Sequence, residues 1–184
     1  MPQKYVFPGG RVDRGDGFAP LAREPRADVL ALMTRVLTPR RARAAAAAAL
    51  RETAEETGLI VGEPADLDVR RIKPEWSPFA AAGAAPAADG LDLVARAITP
   101  PGRTRRFDAW FFQTDAERVC GSGEVCGSGE LEDLRWATLG EAHRLDVPII
   151  TRFVLGELER RLAGAHAPVR CARVTRAGPS FDTL

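Results

Sequence analysis

The sequence predicts a mixed α/β domain with helices on both faces of a small sheet. Three observations carry this. Apolar residues recur at helical spacing over 26–37, 39–57 and after Pro148. Two β-rich runs, 91–98 and 105–112, flank the turn Thr99-Pro100-Pro101-Gly102 and predict a hairpin. The chain has 184 residues, enough for one domain with a real core and short for two.

Residues 3–8 are aromatic and β-branched and read as an extended piece entering a turn at Gly9-Gly10. Residues 11–25 are polar and punctuated by Gly and Pro, a loop. Val29, Leu30, Met33, Val36 and Leu37 then mark one face of a short helix. Thr38 is placed as an N-cap with Pro39 at the first helical position. Ala44 through Ala49 give the following helix high propensity and a thin profile suited to close packing. Gly58 is its stop, free to adopt the left-handed C′ conformation.

Residues 59–61 are a short apolar run, and 64–90 read as weakly structured, with 80–88 a flexible surface loop. After the hairpin, Cys120-Gly-Ser-Gly-Glu-Val is followed directly by Cys126-Gly-Ser-Gly-Glu-Leu, a tandem repeat that predicts a Gly-rich loop. Residues 131–137, with Leu134 and Trp136, predict a strand. Thr138 caps a short helix over 139–145, and Ile149, Ile150, Phe153, Val154, Leu158 and Leu162 mark a longer one. No element is predicted for the tail, 165–184.

Hydrophobic content is 45% and charged content 28%, both ordinary for a globular protein. The net charge of +1 gives no general attraction to nucleic acid or to an anionic membrane. No apolar run is long enough to span a bilayer. Three cysteines, Cys120, Cys126 and Cys171, form no disulfide framework and no metal-ligand spacing, which points to a reducing, cytoplasmic setting.

The chemistry concentrates in Arg51-Glu52-Thr53-Ala54-Glu55-Glu56-Thr57-Gly58-Leu59. Glu52, Glu55 and Glu56 stand at i, i+3 and i+4, on one helix face. Like charges at that spacing repel, and carboxylates near a helix C-terminus oppose its dipole. A hard divalent cation such as Mg²⁺ is a natural counter-charge; a solvated acidic helix end is the other reading of the spacing alone. His143 and His166 have no acidic or Ser partner at a spacing that suggests a triad. Arg105 and Arg106 are candidates to meet substrate phosphates.

Phe7-Pro8-Gly9-Gly10 together with the 51–59 segment resembles the Nudix hydrolases, whose signature is G-x5-E-x7-R-E-U-x-E-E-x-G-U with U apolar. The second half is present except that Thr53 stands at an apolar position. In the first half Asp16 falls where the family has Glu, and Arg51 stands 41 residues after Gly10, so the motif is interrupted by an insertion over about 17–41. That interruption is similar to the subgroup of coenzyme A diphosphatases, as are Ala97-Ile98-Thr99-Pro100-Pro101-Gly102, Arg105-Arg106-Phe107-Asp108 and Asp133-Leu134-Arg135-Trp136.

The resemblance implies an α/β/α sandwich with a small mixed sheet and an inserted helix, a Nudix domain over 1–164. It implies hydrolysis of a diphosphate linkage in a nucleoside diphosphate derivative, with coenzyme A or acyl-coenzyme A the first substrate expected and Mg²⁺ or Mn²⁺ the cofactor. Glu52, Glu55, Glu56 and the Gly10 carbonyl would be metal ligands, with Glu55 and Arg51 in the catalytic set and Arg51 holding a carboxylate in place. Glu130, or Glu124 in the duplicated copy, would be the general base. The family's fold also implies strand residues ahead of the Gly9-Gly10 turn that this sequence does not contain; a sheet edge exposed by their loss would favour a homodimer. The rival class is a non-catalytic Nudix-like ligand-binding module or an inactive truncated product.

Overall fold

The structure, a computed structural model, describes residues 4–99, 107–127, 129, 131–164, 168–175 and 178–184. Its contacts divide the chain into two compact units.

The first unit comprises residues 8–92 and 114–135. Its centre is the helix α2 (Pro39–Thr57), which follows α1 (Ala27–Met33). The Thr38 side chain accepts the Arg41 N–H, Pro39 occupies the first turn, and Gly58 closes the helix at φ 73° with its N–H on the Ala54 carbonyl. The alanine run is used for close approach: Ala42 and Ala44 to Ala48 are all buried. Around α2 pack α1, the strand β1 (Ile60–Pro64) and the short helix α3 (Ser77–Ala81). A three-stranded sheet runs in the order β2-β1-β5, where β2 is Ala84–Pro86 and β5 is Val119–Cys120, both antiparallel to β1.

Residues 80–88 are thus not a surface loop. Ala84, Ala85, Ala87 and Ala88 are buried and β2 pairs with Gly62 to Pro64 of β1. A run of alanines has no apolar contrast to reveal its inward face, and the partner strand selects it instead. Trp76 and Phe79, in the supposedly weak stretch, are buried and in ring contact at 5.6 Å. The insertion is equally well anchored. Ala22 N–H donates to the Pro86 carbonyl, Ala88 N–H to the Arg23 carbonyl, and Val29 and Met33 of α1 are buried. From α2, Arg43 donates to the carbonyls of Gly17 and Ala19 and to Glu24. The helix α1 stops short of the predicted end at Leu37: the Thr34 hydroxyl bonds back to the Leu30 carbonyl, and Val36 is left exposed.

The second unit comprises residues 1–7, 93–113 and 136–184. Its sheet has the order β4-β3-β6-β7, with β3 Asp92–Ile98, β4 Asp108–Gln113, β6 Arg170–Thr175 and β7 Gly178–Thr183. The predicted hairpin strands β3 and β4 are neighbours; the turn between them, with Arg105 and Arg106, lies outside the described residues. The sheet is mixed, since β6 is parallel to β3 and antiparallel to β7. The segment beyond Gly164 therefore supplies two strands where the sequence predicts no element; His166 is outside the described residues. The helices are α4 (Leu139–Ala142), closed by a Thr138–Glu141 capping box, and α5 (Ile149–Leu162). Val94, Ala95 and Val154 form a core that Phe7, Phe111, Phe153 and Leu158 extend. Residues 131–137, predicted as a strand, form none: Asp133 has φ 54°, incompatible with extended backbone, and Trp136 is 62% exposed.

The two sheets and their helices give a mixed α+β fold, as predicted, with a three-stranded sheet in addition to the mixed one. The β1–β2 approach is tight enough to test. A Cβ on Gly62 would overlap the Ala85 carbonyl oxygen, a backbone atom. Gly62→Ala is expected to lower stability by about 1–3 kcal/mol in urea denaturation, as overpacking a close contact does.

Candidate active site

The last two turns of α2 present Arg51, Glu52, Glu55 and Glu56 to the loop that precedes the insertion. The loop folds back onto them. The Gly9 N–H donates to Glu56 Oε2 at 2.7 Å, across 47 residues of sequence. Gly10 lies so close to the Glu52 carboxylate that a Cβ there would displace it. The turn and the glutamates, separated by the insertion, are brought together in one place.

Arg51 ties the two segments. Its Nε donates to Asp16 Oδ1 at 2.9 Å and its Nη2 to Asp16 Oδ2 at 3.2 Å and to the Arg11 carbonyl at 2.9 Å. Its Nη1 donates to Glu55 Oε2 at 2.7 Å and lies 3.0 Å from Glu52 Oε1. Asp16 is fully buried and also accepts the Asp13 N–H at 2.7 Å. A planar, permanently charged fork suits this pattern of several acceptors in fixed directions. Burial alone would lower the Arg51 pKa, but the hydrogen bond and charge of Asp16, with the charges of Glu52 and Glu55, raise it above the ordinary arginine value.

Glu52 shows the opposite balance. Burial pushes its carboxyl above the usual range; Arg51 pulls it down, while Glu55 and Asp16 push it further up. Three carboxylates thus surround one guanidinium, and the charge is under-compensated. The donor set of hard carboxylate oxygens suits a divalent cation that prefers oxygen. Among the described residues, however, no three His, Cys, Asp or Glu side chains are poised together to hold an ion. Arg51 lies against oxygens of Glu52 and Glu55, and the Gly9 N–H donates to one of Glu56.

The other candidates are placed less tightly. Glu130 lies outside the described residues. Glu124 is exposed in the Gly-rich loop, its N–H on the Ser122 hydroxyl at 3.3 Å. His143 belongs to the other unit, where its Nε2 lies 2.9 Å from Glu159 Oε1. Asp16 is the residue whose part sequence reasoning undervalued. It is read there as a substitute for the family's Glu, and the structure makes it the buried partner of Arg51. A buried Asp in a loop and a buried Arg 35 residues on, at the end of an alanine run, carry no periodic signal that would pair them.

Two outcomes follow for stability. Arg51→Ala leaves Asp16 buried and unpaired and is expected to cost about 3–5 kcal/mol in chemical denaturation, with Arg51→Lys recovering little because an ammonium cannot span the same acceptors. For Glu52, a folded-state pKa above the unfolded value means that the folded protein binds more protons. Its contribution is therefore most favourable at acid pH and is lost as pH rises from the ordinary carboxylate range through the raised folded value. In a chelator, Glu52→Gln is expected to flatten that fall and to raise the melting temperature near neutral pH; an unchanged pH profile would contradict it.

No family model matches the chain, and no curated protein matches it in sequence. Among solved structures it is similar to a NUDIX hydrolase from Alicyclobacillus acidocaldarius, at 25% identity and a TM-score of 0.55 over 84% of this chain and 75% of that one. Among the described residues no helix is long and apolar enough to cross a membrane. With a fold shared with a solved Nudix hydrolase, and Arg51-Glu52-Thr53-Ala54-Glu55-Glu56-Thr57-Gly58 set against Gly9-Gly10 within it, the chain is an enzyme of the Nudix hydrolase type.

Proposed function

We propose that the chain is a Mg²⁺- or Mn²⁺-dependent diphosphatase that hydrolyses a nucleoside diphosphate derivative, with coenzyme A or acyl-coenzyme A the first substrate to try. The observation that carries this reading is the return of the Gly9-Gly10 turn onto Glu52 and Glu56 across the insertion. A solvated acidic helix end would have no use for such a turn. The coenzyme A preference is supported by the place of the insertion and by the later segments that resemble that subgroup. Among the residues of those segments, Asp108 is held structurally, in a two-pronged ion pair with Arg96 whose bonds are both 2.7 Å.

Glu52, Glu55, Glu56 and the Gly10 carbonyl would hold the ion, which when bound supplies neutralisation of the diphosphate and acidification of a water. The chain's own residues do the rest. Arg51 holds Glu55 and Glu52 beside one another on the helix, and the two carboxylates would turn from it to take up the ion. Asp16 and the Arg11 carbonyl in turn fix Arg51. A carboxylate of the Gly-rich loop, Glu130 or Glu124, accepts the proton of the attacking water as the phosphorus–oxygen bond to the leaving phosphate breaks. Positioning and charge account for the rate, since the reaction asks no covalent step of the protein.

The test is hydrolysis of coenzyme A, ADP-ribose, NADH and dinucleoside polyphosphates with Mg²⁺ or Mn²⁺. Glu55→Gln and Glu56→Gln are each expected to lower kcat by on the order of 100-fold or more, and to abolish the rise in melting temperature that Mg²⁺ gives the wild type. Full activity in both variants would overturn the ligand assignment. Of Glu130→Gln and Glu124→Gln, the one that removes the acidic limb of the pH–rate profile, where activity falls as the carboxylate is protonated, identifies the general base.

A further inference from the structure

The duplicated hexapeptide has a property that the hydrolysis does not use: it carries two cysteines that are each held against the same short stretch of chain. Cys120 ends β5, directly opposite Ile60 in the β1–β5 register. The Cys126 N–H donates to the Thr57 carbonyl at 2.8 Å, and the Cys126 Cβ lies 3.3 Å from where a Cβ on Gly58 would stand. Both cysteines are therefore anchored to the same stretch, Thr57-Gly58-Leu59-Ile60. Gly58 and Ile60 are two residues apart, a span of about 7 Å at full extension; a disulfide joins Cα atoms about 4.4–6.8 Å apart. Gly121 and Gly123 between them have φ of 88° and 70°, and nothing lies within 4 Å of where their Cβ atoms would stand. The intervening loop has the space and backbone freedom to take up the remaining distance. Both cysteines are free thiols, Cys126 exposed and Cys120 partly so, whereas Cys171 is buried in β6.

We propose that Cys120 and Cys126 form a reversible thiol–disulfide modification site that reacts with a low-molecular-weight disulfide. The Cys126 thiolate attacks one sulfur of that disulfide; a mixed disulfide forms and one small thiolate leaves. The Cys120 thiolate then attacks the Cys126 sulfur, the internal S–S bond forms, and the second small thiolate leaves. The cysteines are oxidised by two electrons, the small disulfide is reduced by two, and the two protein thiol protons end on the two small thiols. The closed bridge clamps the segment bearing Glu124 against the C-terminal end of α2, so a change of redox state reaches the loop beside the glutamates.

The experiment is intact-mass spectrometry of the full chain treated with oxidised glutathione. The wild type is expected to lose two hydrogens with no retained adduct, and peptide mapping to join Cys120 with Cys126. The short loop gives the internal thiol a millimolar effective concentration, so at about 0.1 mM reagent it outcompetes a second external disulfide by about tenfold. Cys120→Ser and Cys126→Ser are each expected to stop at one glutathione adduct, and dithiothreitol to restore the starting mass in all three. Stable adducts on both cysteines of the wild type without a bridge, a bridge through Cys171, or no reaction at all would overturn the proposal.

Discussion

The contact on which the site depends is the buried pairing of Arg51 with Asp16. Each partner alone would be a costly charge in the interior, and together they cost less only because the geometry satisfies both. Nε and Nη2 meet the two oxygens of Asp16, and the remaining donors reach Arg11, Glu55 and Glu52. One guanidinium thereby holds the loop that follows the glycine turn, the residue at which the insertion begins and the acidic face of α2. The interaction adds little net stability against a well-packed apolar alternative; what it fixes is the placement of two segments that local forces would leave independent.

The packing around α2 serves the same end. Alanines along its first half let neighbouring elements approach closely, and Gly62 does so for β1 against β2. Such contacts gain from dense packing rather than from large side chains. They hold the helix at a fixed depth, so the carboxylates at its end occupy a defined position relative to the turn. The second unit uses larger means: stacked Phe153 and Phe181, with Arg170 over both rings and paired with the buried Glu157.

What was legible in the sequence is what is encoded locally. Thr38, Pro39 and Gly58 delimit α2 to the residue, because caps act within a turn of the helix they close. The glutamate face follows from helical periodicity alone, and its association with Gly9-Gly10 from resemblance to a family motif. The strands β2, β6 and β7 were not legible. Ala84 and Ala85 have no polar neighbours to alternate with, and Arg170 to Thr175 mixes charge and apolar residues in a pattern that only its partners β3 and β7 resolve. The stretch 131–137 misled for the converse reason: Leu134 and Trp136 suggest a strand, while Asp133 takes a left-handed conformation that no composition announces.

The insertion between Gly10 and Arg51 has a kinetic meaning. Closing a flexible loop costs free energy that rises only with the logarithm of its length, so an insertion that doubles the loop adds only about 0.6 kcal/mol. The folding rate is more sensitive, since contacts distant in sequence form slowly. The helices α1 and α2 draw on neighbouring residues, whereas the Gly9–Glu56 contact joins positions 47 apart in sequence. The acidic face of α2 is thus encoded locally, while its contact with the turn depends on a closure that spans the insertion.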